Sequence, residues 1–394
     1  MTIMERLNAP TAPERLAQLE LLLREETEKP AVLPQYANNH IHTSYSFSPY
    51  SPTAAVWFAR AAGLNTAGIM DHDSIAGARE FLQAGELAGV GTTCGLECRV
   101  RLDGSGLEHR RVNNPDQSGI AYMALHSVPH GSIELLQERF APLREKRNER
   151  NAKIIEKINA LTAPYGIAIT LPQAIALSQY AVGGSVTERH VLYALAMEIT
   201  AQKGQQNVCA FLQEEMQIPL KDKEIAALTD ENNPHFLYDL LGVLKAQLVE
   251  RIYVDADEEC LHITQISDLA KETGALLCYA YLGDVTDSVT GDKRAQKFED
   301  DYLDELFALL KGYGVDGVTY MPSRNTPAQL ARVMALCEKE GFLQISGEDI
   351  NSPRQGFLCK QLEQPEFRHL IDATRMLIAH ERGENVGKIP PFVG

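Results

Sequence analysis

His40-Ile41-His42-Thr43 sets two imidazoles two positions apart. On an extended backbone side chains alternate, so both rings project to one side. Met70-Asp71-His72-Asp73 and Gly95-Leu96-Glu97 follow, each closing an apolar run. Two imidazoles on one face, joined by a further His and a carboxylate from later segments, are the ligands a divalent metal needs. A metal-dependent hydrolase is therefore the first expectation.

Working outward, residues 39–43, 65–70, 91–100 and 120–127 read as strands, and 52–62 and 74–88 as helices, with Pro52 just inside the start of the first helix. Repeated βα units with apolar strands predict an α/β fold with a parallel sheet or barrel. Its functional loops would lie at strand C-terminal ends. His72, with Asp71 and Asp73 around it, and His126 are expected at such ends. Residues 12–29 read as a helix on Leu16, Leu19, Leu22 and Leu23, and 31–38 as a connector containing Pro34. After Pro129 the pattern changes, and 132–251 reads as almost wholly helical. The run Arg144-Glu145-Lys146-Arg147-Asn148-Glu149-Arg150 is expected to be a solvated helix face with internal charge pairing. Alternation returns near Leu261, with strands at 275–281, 317–320 and 343–346 and helices at 298–312 and 327–340. The tail with Pro390-Pro391 reads as extended. The expected division is an N-terminal helical extension over 1–37, a barrel over 38–130 and 262–394, and a helical insertion over 131–261.

The chain of 394 residues is 44% hydrophobic and 23% charged, with a formal net charge of -16, as for an ordinary globular protein. That charge argues against long nucleic acid as a partner. It leaves room for a small phosphorylated ligand, because bound cations reverse the local potential. No apolar run is long enough to span a bilayer, and the N-terminus lacks the apolar core of a signal peptide. The seven cysteines show no paired spacing, which suits reduced thiols and a cytoplasmic location. Cys94 and Cys98 share one strand face and read as small core residues. Trp57 and Phe58 read as helix core.

His40-Ile41-His42-Thr43, Asp71-His72-Asp73, Gly95-Leu96-Glu97, Leu125-His126 and Ser346-Gly347-Glu348-Asp349 together resemble the PHP (polymerase and histidinol phosphatase) family. The branch it is most similar to contains nucleotide and small-RNA phosphoesterases with a helical insertion. In those a segment similar to Gly183-Gly184-Ser185-Val186-Thr187-Glu188-Arg189-His190 lies in the insertion. The resemblance implies a distorted seven-stranded βα barrel with metals at the strand C-terminal ends. It implies that His40, His42, Glu97 and Asp349 hold one metal, that Glu97 bridges to a second also bound by His126, and that His72 serves a third. A cluster of cations can polarise a phosphoryl oxygen and lower the pKa of bound water, so the nucleophile would be that water and no protein nucleophile is assigned.

Several positions depart from the family pattern. Phe47 stands where relatives carry Asp, Tyr281 and Asn351 where they carry His, and Asn38 where they carry an acidic residue. One ligand set is thus complete. The second has lost a His, for which a Tyr281 oxygen could substitute. The third is reduced to His72 and an Asn351 amide oxygen. Zn, Mn or Fe would each suit such His and carboxylate donors. Arg189 and His190, at a helix start, and Arg324, after a strand, could contact a substrate phosphate or simply cap their helices. The implied activity is metal-dependent hydrolysis of a phosphate ester on a small molecule such as a nucleotide. The rivals are a degenerate PHP module that binds a phosphorylated ligand or a partner without turnover, and a hydrolase of another substrate class with a reduced metal set. Oligomeric state is open.

Overall fold

Short apolar runs bounded by turn residues become strands here because both of their faces are covered. The computed structural model describes residues 1–285 and 297–384; the expectation for the tail with Pro390-Pro391 lies outside them. Its strands are β1 (Leu33–Ile41), β2 (Leu64–His72), β3 (Gly91–Arg101), β4 (Ile120–His126), β5 (Leu261–His262), β6 (Leu276–Ala280), β7 (Gly317–Tyr320) and β8 (Leu343–Ser346). Seven run in the order β1-β2-β3-β4-β6-β7-β8, and β5 pairs with the far end of β3. A parallel bridge between Ile41 and Ile350 brings the chain after β8 back to β1. The result is a nearly closed, distorted βα barrel with helices packed outside.

Two strand expectations are corrected. The connector over 31–38 is mostly β1, with Pro34 at its start. Proline is tolerated there because no ladder donor is needed at a strand's first residues, and the register shifts nearby. The sheet is also not all parallel, since β4 is antiparallel to both β3 and β6. No helix lies between β3 and β4, and antiparallel neighbours need no crossover. The C-terminal end of β4 therefore lies at the end of the barrel opposite that of β1, β2 and β3. His126 is not at the mouth as expected. The pairing of Glu97 with Ala124 puts it two positions deeper inside than Glu97.

The helix Ile133–Thr162 starts at that closed end and has 30 residues, about 45 Å at 1.5 Å per residue. Its first turns bury Ile133, Leu136 and Phe140 in the core between sheet and helices. Its middle reaches the mouth, and Ile154, Ile155 and Ile158 join a second core. That second core is built by the helices between β4 and β5, chiefly Glu188–Lys203 and Phe236–Ile252. One helix thus spans both cores, and the division of packing falls near Phe140.

The charge run in this helix is not a solvated face. Arg144, Arg147, Asn148, Arg150 and Asn151 are buried, while Glu145 and Glu149 are exposed. Arg147 pairs with Asp73, Arg144 donates to the Asp73 carbonyl at 3.1 Å, and Arg150 lies 3.5 Å from Glu259. Charge composition did not reveal the face because the pairing carboxylates come from distant segments. Asp73, with φ +52, tolerates the left-handed region better than most residues. Arg147→Ala would leave a buried carboxylate without its partner and should cost about 3–5 kcal/mol in urea unfolding. Arg147→Met combined with Asp73→Asn, which removes both charges, should recover most of that loss. An unchanged unfolding midpoint in Arg147→Ala would contradict this account of the pair.

The C-terminal helix Arg368–Arg382 was not foreseen. Leu377 meets Cys278 and Ile345 in the barrel interior, and Ser127 donates to the Leu377 carbonyl at 2.7 Å, so this helix closes the end opposite the mouth. No helix among the described residues is long and apolar enough to cross a membrane.

Candidate metal centre

Barrel closure assembles the site. The His42 amide donates to the Ile350 carbonyl at 2.9 Å, and the Ile350 amide to the His40 carbonyl at 3.2 Å, which sets Asp349 beside both histidines. Asn38 holds this junction with both ends of its amide. Its Oδ1 accepts from the His40 and Glu348 amides at 3.0 Å each, and its Nδ2 donates to the Glu348 carbonyl at 3.1 Å. A carboxylate could not make the last of these bonds. Gly347 permits the approach, since a Cβ there would come within 2.5 Å of His40 Cβ. Glu348 turns away and accepts from Ser323 Oγ at 2.7 and 2.6 Å. Of the two adjacent acids, Asp349 is therefore the one that faces the histidines.

His42 Nε2 lies 3.1 Å from Asp349 Oδ1. Glu97 Oε2 lies 3.7 Å from His40 Nε2, 4.0 Å from His42 Nε2 and 3.1 Å from His72 Nδ1. The rings of His42 and His72 stack at 4.6 Å, and those of His40 and His42 meet edge-on at 5.0 Å. His40, His42 and Asp349 form one ligand group, and His42, His72 and Glu97 another, each with its ligand atoms within 4.8 Å of one another. His126, deeper inside, belongs to neither, although its burial and the nearby His40 hold its imidazole down at about 3.

Second partners fix the rings. His42 Nδ1 lies 3.3 Å from Ser46 Oγ. Ser46 in turn donates to the buried Asp71 at 2.5 Å. Asp71 also accepts from the Thr43 amide at 2.7 Å and the Thr43 hydroxyl at 2.6 Å. Such outer contacts orient a metal-ligating imidazole and set its tautomer. Neither Ser46 nor Asp71 was singled out from sequence as an orienting residue. Burial raises the Asp71 carboxyl despite these donors. At Asp349 burial works in the same direction, but His42, His40 and Arg189 outweigh it and hold the carboxyl well below its usual range. Burial, His42 and Arg147 together depress His72 well below the ordinary imidazole value.

The remaining residues singled out from sequence separate. Arg189, half-buried, acts electrostatically on Asp349 and so lies near the cluster. His190 is buried, and its Nδ1 accepts from the Thr187 amide at 3.0 Å as a helix cap. Its ring meets Phe47 edge-on at 5.0 Å. Phe47 also packs on Tyr193 and Tyr238 at 5.7 Å each, in the second core. Tyr281 packs in the outer core and donates to Asp300 at 2.6 Å. Asn351 donates to Asp349 Oδ1 at 2.7 Å. Arg324 reaches the Leu282 carbonyl at 3.4 Å, beside the loop after β6. Arg147, whose charge bears on both His72 and His190, joins the surroundings of the cluster, and its ion pair with Asp73 sets it apart from the other buried arginines of its helix.

The donor chemistry fits a cation. His126 Nε2 is buried and makes no hydrogen bond, which a neutral imidazole lone pair seldom tolerates, and His42 Nε2 is turned on the Asp349 carboxylate at 3.1 Å. Two carboxylates and three imidazoles converge from β1, β2, β3 and the turn after β8, with His126 of β4 deeper inside, and this mixture suits Zn, Mn or Fe.

No family model and no curated protein matches the chain. Solved structures that share its fold include the following two. A Bifidobacterium adolescentis protein provisionally assigned as a metal-dependent phosphoesterase is 19% identical, with a TM-score of 0.54, over 92% of this chain and 100% of its own. An amidohydrolase from Chromobacterium violaceum, with sulfate bound and no metal, is 14% identical, with a TM-score of 0.54, over 86% of this chain and 96% of its own. At these identities the likeness is one of fold.

Proposed function

We propose that this protein is a metal-dependent hydrolase that cleaves a phosphate ester on a small molecule, a nucleotide being one such substrate. The observation that carries this reading is the convergence of His40, His42, Glu97 and Asp349 at the barrel mouth, with His42 Nε2 buried between the two carboxylates at 3.1 Å from Asp349 and 4.0 Å from Glu97. A divalent cation held by these residues supplies Lewis acidity and a nucleophile at neutral pH. Glu97 Oε2, within 4.0 Å of three imidazoles, is placed to serve two cations, and His72 and His126 are the further donors. The chain's own contribution is orientation and charge. Asp71, through Ser46, fixes the His42 ring. Arg189 offers a guanidinium to the phosphate, a planar fork that matches two phosphoryl oxygens. The structural neighbour assigned as a metal-dependent phosphoesterase is in keeping with this reading on the same fold.

A second reading, binding of a phosphorylated ligand without turnover, is favoured by one set of contacts. Phe47, Tyr281 and Asn351 are engaged with aromatic rings, Asp300 and Asp349, so fewer cations would be held than in a full trinuclear site. The separating experiment is phosphate release from a panel of nucleoside monophosphates and other small phosphate esters. Chelator-stripped protein should be inactive, and protein reloaded with Mn2+ or Zn2+ should release phosphate. Reloaded protein that binds metal and phosphate yet releases none from any ester favours the binding module. Arg189→Ala should lower turnover about 10–100-fold, the equivalent of one charge-assisted hydrogen bond, with metal content unchanged. Equal turnover in this variant would remove Arg189 from the substrate contacts.

A further inference from the structure

Cys94, His130 and Glu381 come together at the closed end of the barrel, away from the mouth. Cys94 belongs to β3 but packs in the outer core, on the face opposite Glu97, three residues along the strand. His130 sits in the turn after β4, and Glu381 near the end of the helix Arg368–Arg382. The Cys94 sulfur, a ring nitrogen of His130 and a carboxylate oxygen of Glu381 lie within 4.8 Å of one another.

The hydrogen bonds leave Glu381 Oε2 and His130 Nε2 facing one another. The Cys94 amide donates to Glu381 Oε1 at 2.8 Å, which fixes the carboxylate. Glu381 Oε2 then faces His130 Nε2 at 3.5 Å, and neither atom makes a hydrogen bond although both are buried. The Glu381 side chain is 1% exposed and that of His130 33%. The Cys94 thiol donates to the Val128 carbonyl at 3.4 Å. Burial and the Glu381 carboxylate beside it hold it protonated well above the ordinary thiol range in the absence of a cation. A buried carboxylate oxygen and a buried imidazole nitrogen 3.5 Å apart, outside good hydrogen-bond geometry, are spaced as two ligands of one cation would be.

We propose that Cys94, His130 and Glu381 form a second metal site, selective for Zn2+, at the closed end of the barrel. One thiolate, one imidazole and one carboxylate suit a borderline-soft ion better than Mg2+ or Mn2+. In a tetrahedral zinc site the ligand atoms stand about 3.3–3.8 Å apart, given bonds of about 2.0–2.3 Å. The His130–Glu381 distance already meets this, and the sulfur needs a shift of about 1 Å at most. Thiolate and carboxylate together neutralise the ion. The partly exposed His130 side leaves the fourth position to water. The three ligands come from β3, the turn after β4 and the C-terminal helix, so the ion would pin that helix to the barrel end it closes.

The site differs from the mouth cluster in containing sulfur, and this makes the test independent of the hydrolase reading. The full chain, stripped with chelator, is loaded with Co2+ as an optical stand-in for Zn2+. Wild type and Glu97→Ala should both show thiolate-to-cobalt charge-transfer absorption, and Cys94→Ser should lose it. Zinc content should fall by one equivalent per chain in Cys94→Ser and in His130→Ala, and zinc should raise Tm less in either variant than in wild type. His130 lies in a surface turn, so His130→Ala keeps the test decisive where Cys94→Ser fails to fold. Absence of the thiolate band in wild type, or its persistence in Cys94→Ser, overturns the proposal.

Discussion

Glu97→Ala should strip metal from the mouth cluster and lower phosphate-ester hydrolysis at least about 100-fold, because even the loss of an outer partner of a metal ligand costs 10–100-fold. The reason is positional. Glu97 Oε2 is the atom shared by His40, His42 and His72, so its removal leaves three imidazoles with Asp349 as the remaining carboxylate. The backbone should not suffer, since Glu97 pairs in register with His72 on one side and Ala124 on the other through main-chain contacts. The check is metal content by elemental analysis alongside circular dichroism and turnover. A folded Glu97→Ala protein that keeps its full metal content would falsify the assignment.

Phe47→Ala should destabilise the protein by about 3–5 kcal/mol, the range for removing a buried aromatic side chain. Phe47 is buried at φ +116, a conformation that a bulky residue adopts only when its surroundings hold it there. Its ring sits among His190, Tyr193 and Tyr238 and ties the loop after β1 to the helices between β4 and β5. That loop also carries Ser46, which contacts His42, so the variant should bind metal more weakly as well. Urea unfolding measures the first effect and metal titration the second. An unfolding midpoint within error of wild type would mean that the ring contributes nothing to the junction. The same packing explains why an Asp at this position would not simply add a ligand here, for its carboxylate would be buried among aromatic rings without a cation to meet it.

The barrel was legible because its strands are short apolar runs and its helices carry local signals such as Ser51-Pro52 and Thr326-Pro327, which cap helices as expected. The clustered residues His40, His42, His72 and Asp349 were legible because each lies at or just past a strand end, and Glu97 because it closes an apolar run, although β3 continues to Arg101. What escaped depends on partners distant in the chain. The direction of β4 is set by its neighbours and not by its own sequence, so His126 was expected at the mouth and lies deeper. The buried face of Arg144, Arg147 and Arg150 looks like a solvated charge run until Asp73 and Glu259 are brought against it. Asn38 read as a missing acid, and its value as a donor and acceptor at barrel closure appears only when Glu348 stands beside it. Cys94 read as a small core residue because His130 and Glu381 reach it from other elements.

The central claim is that His40, His42, Glu97 and Asp349 hold a divalent cation. The most direct measurement is an anomalous-scattering map from crystals of the full chain soaked in Mn2+. A peak is expected at the barrel mouth about 2.0–2.2 Å from His40 Nε2, His42 Nε2 and oxygens of Glu97 and Asp349. A map with no peak there, or with manganese only at surface carboxylates, would contradict it.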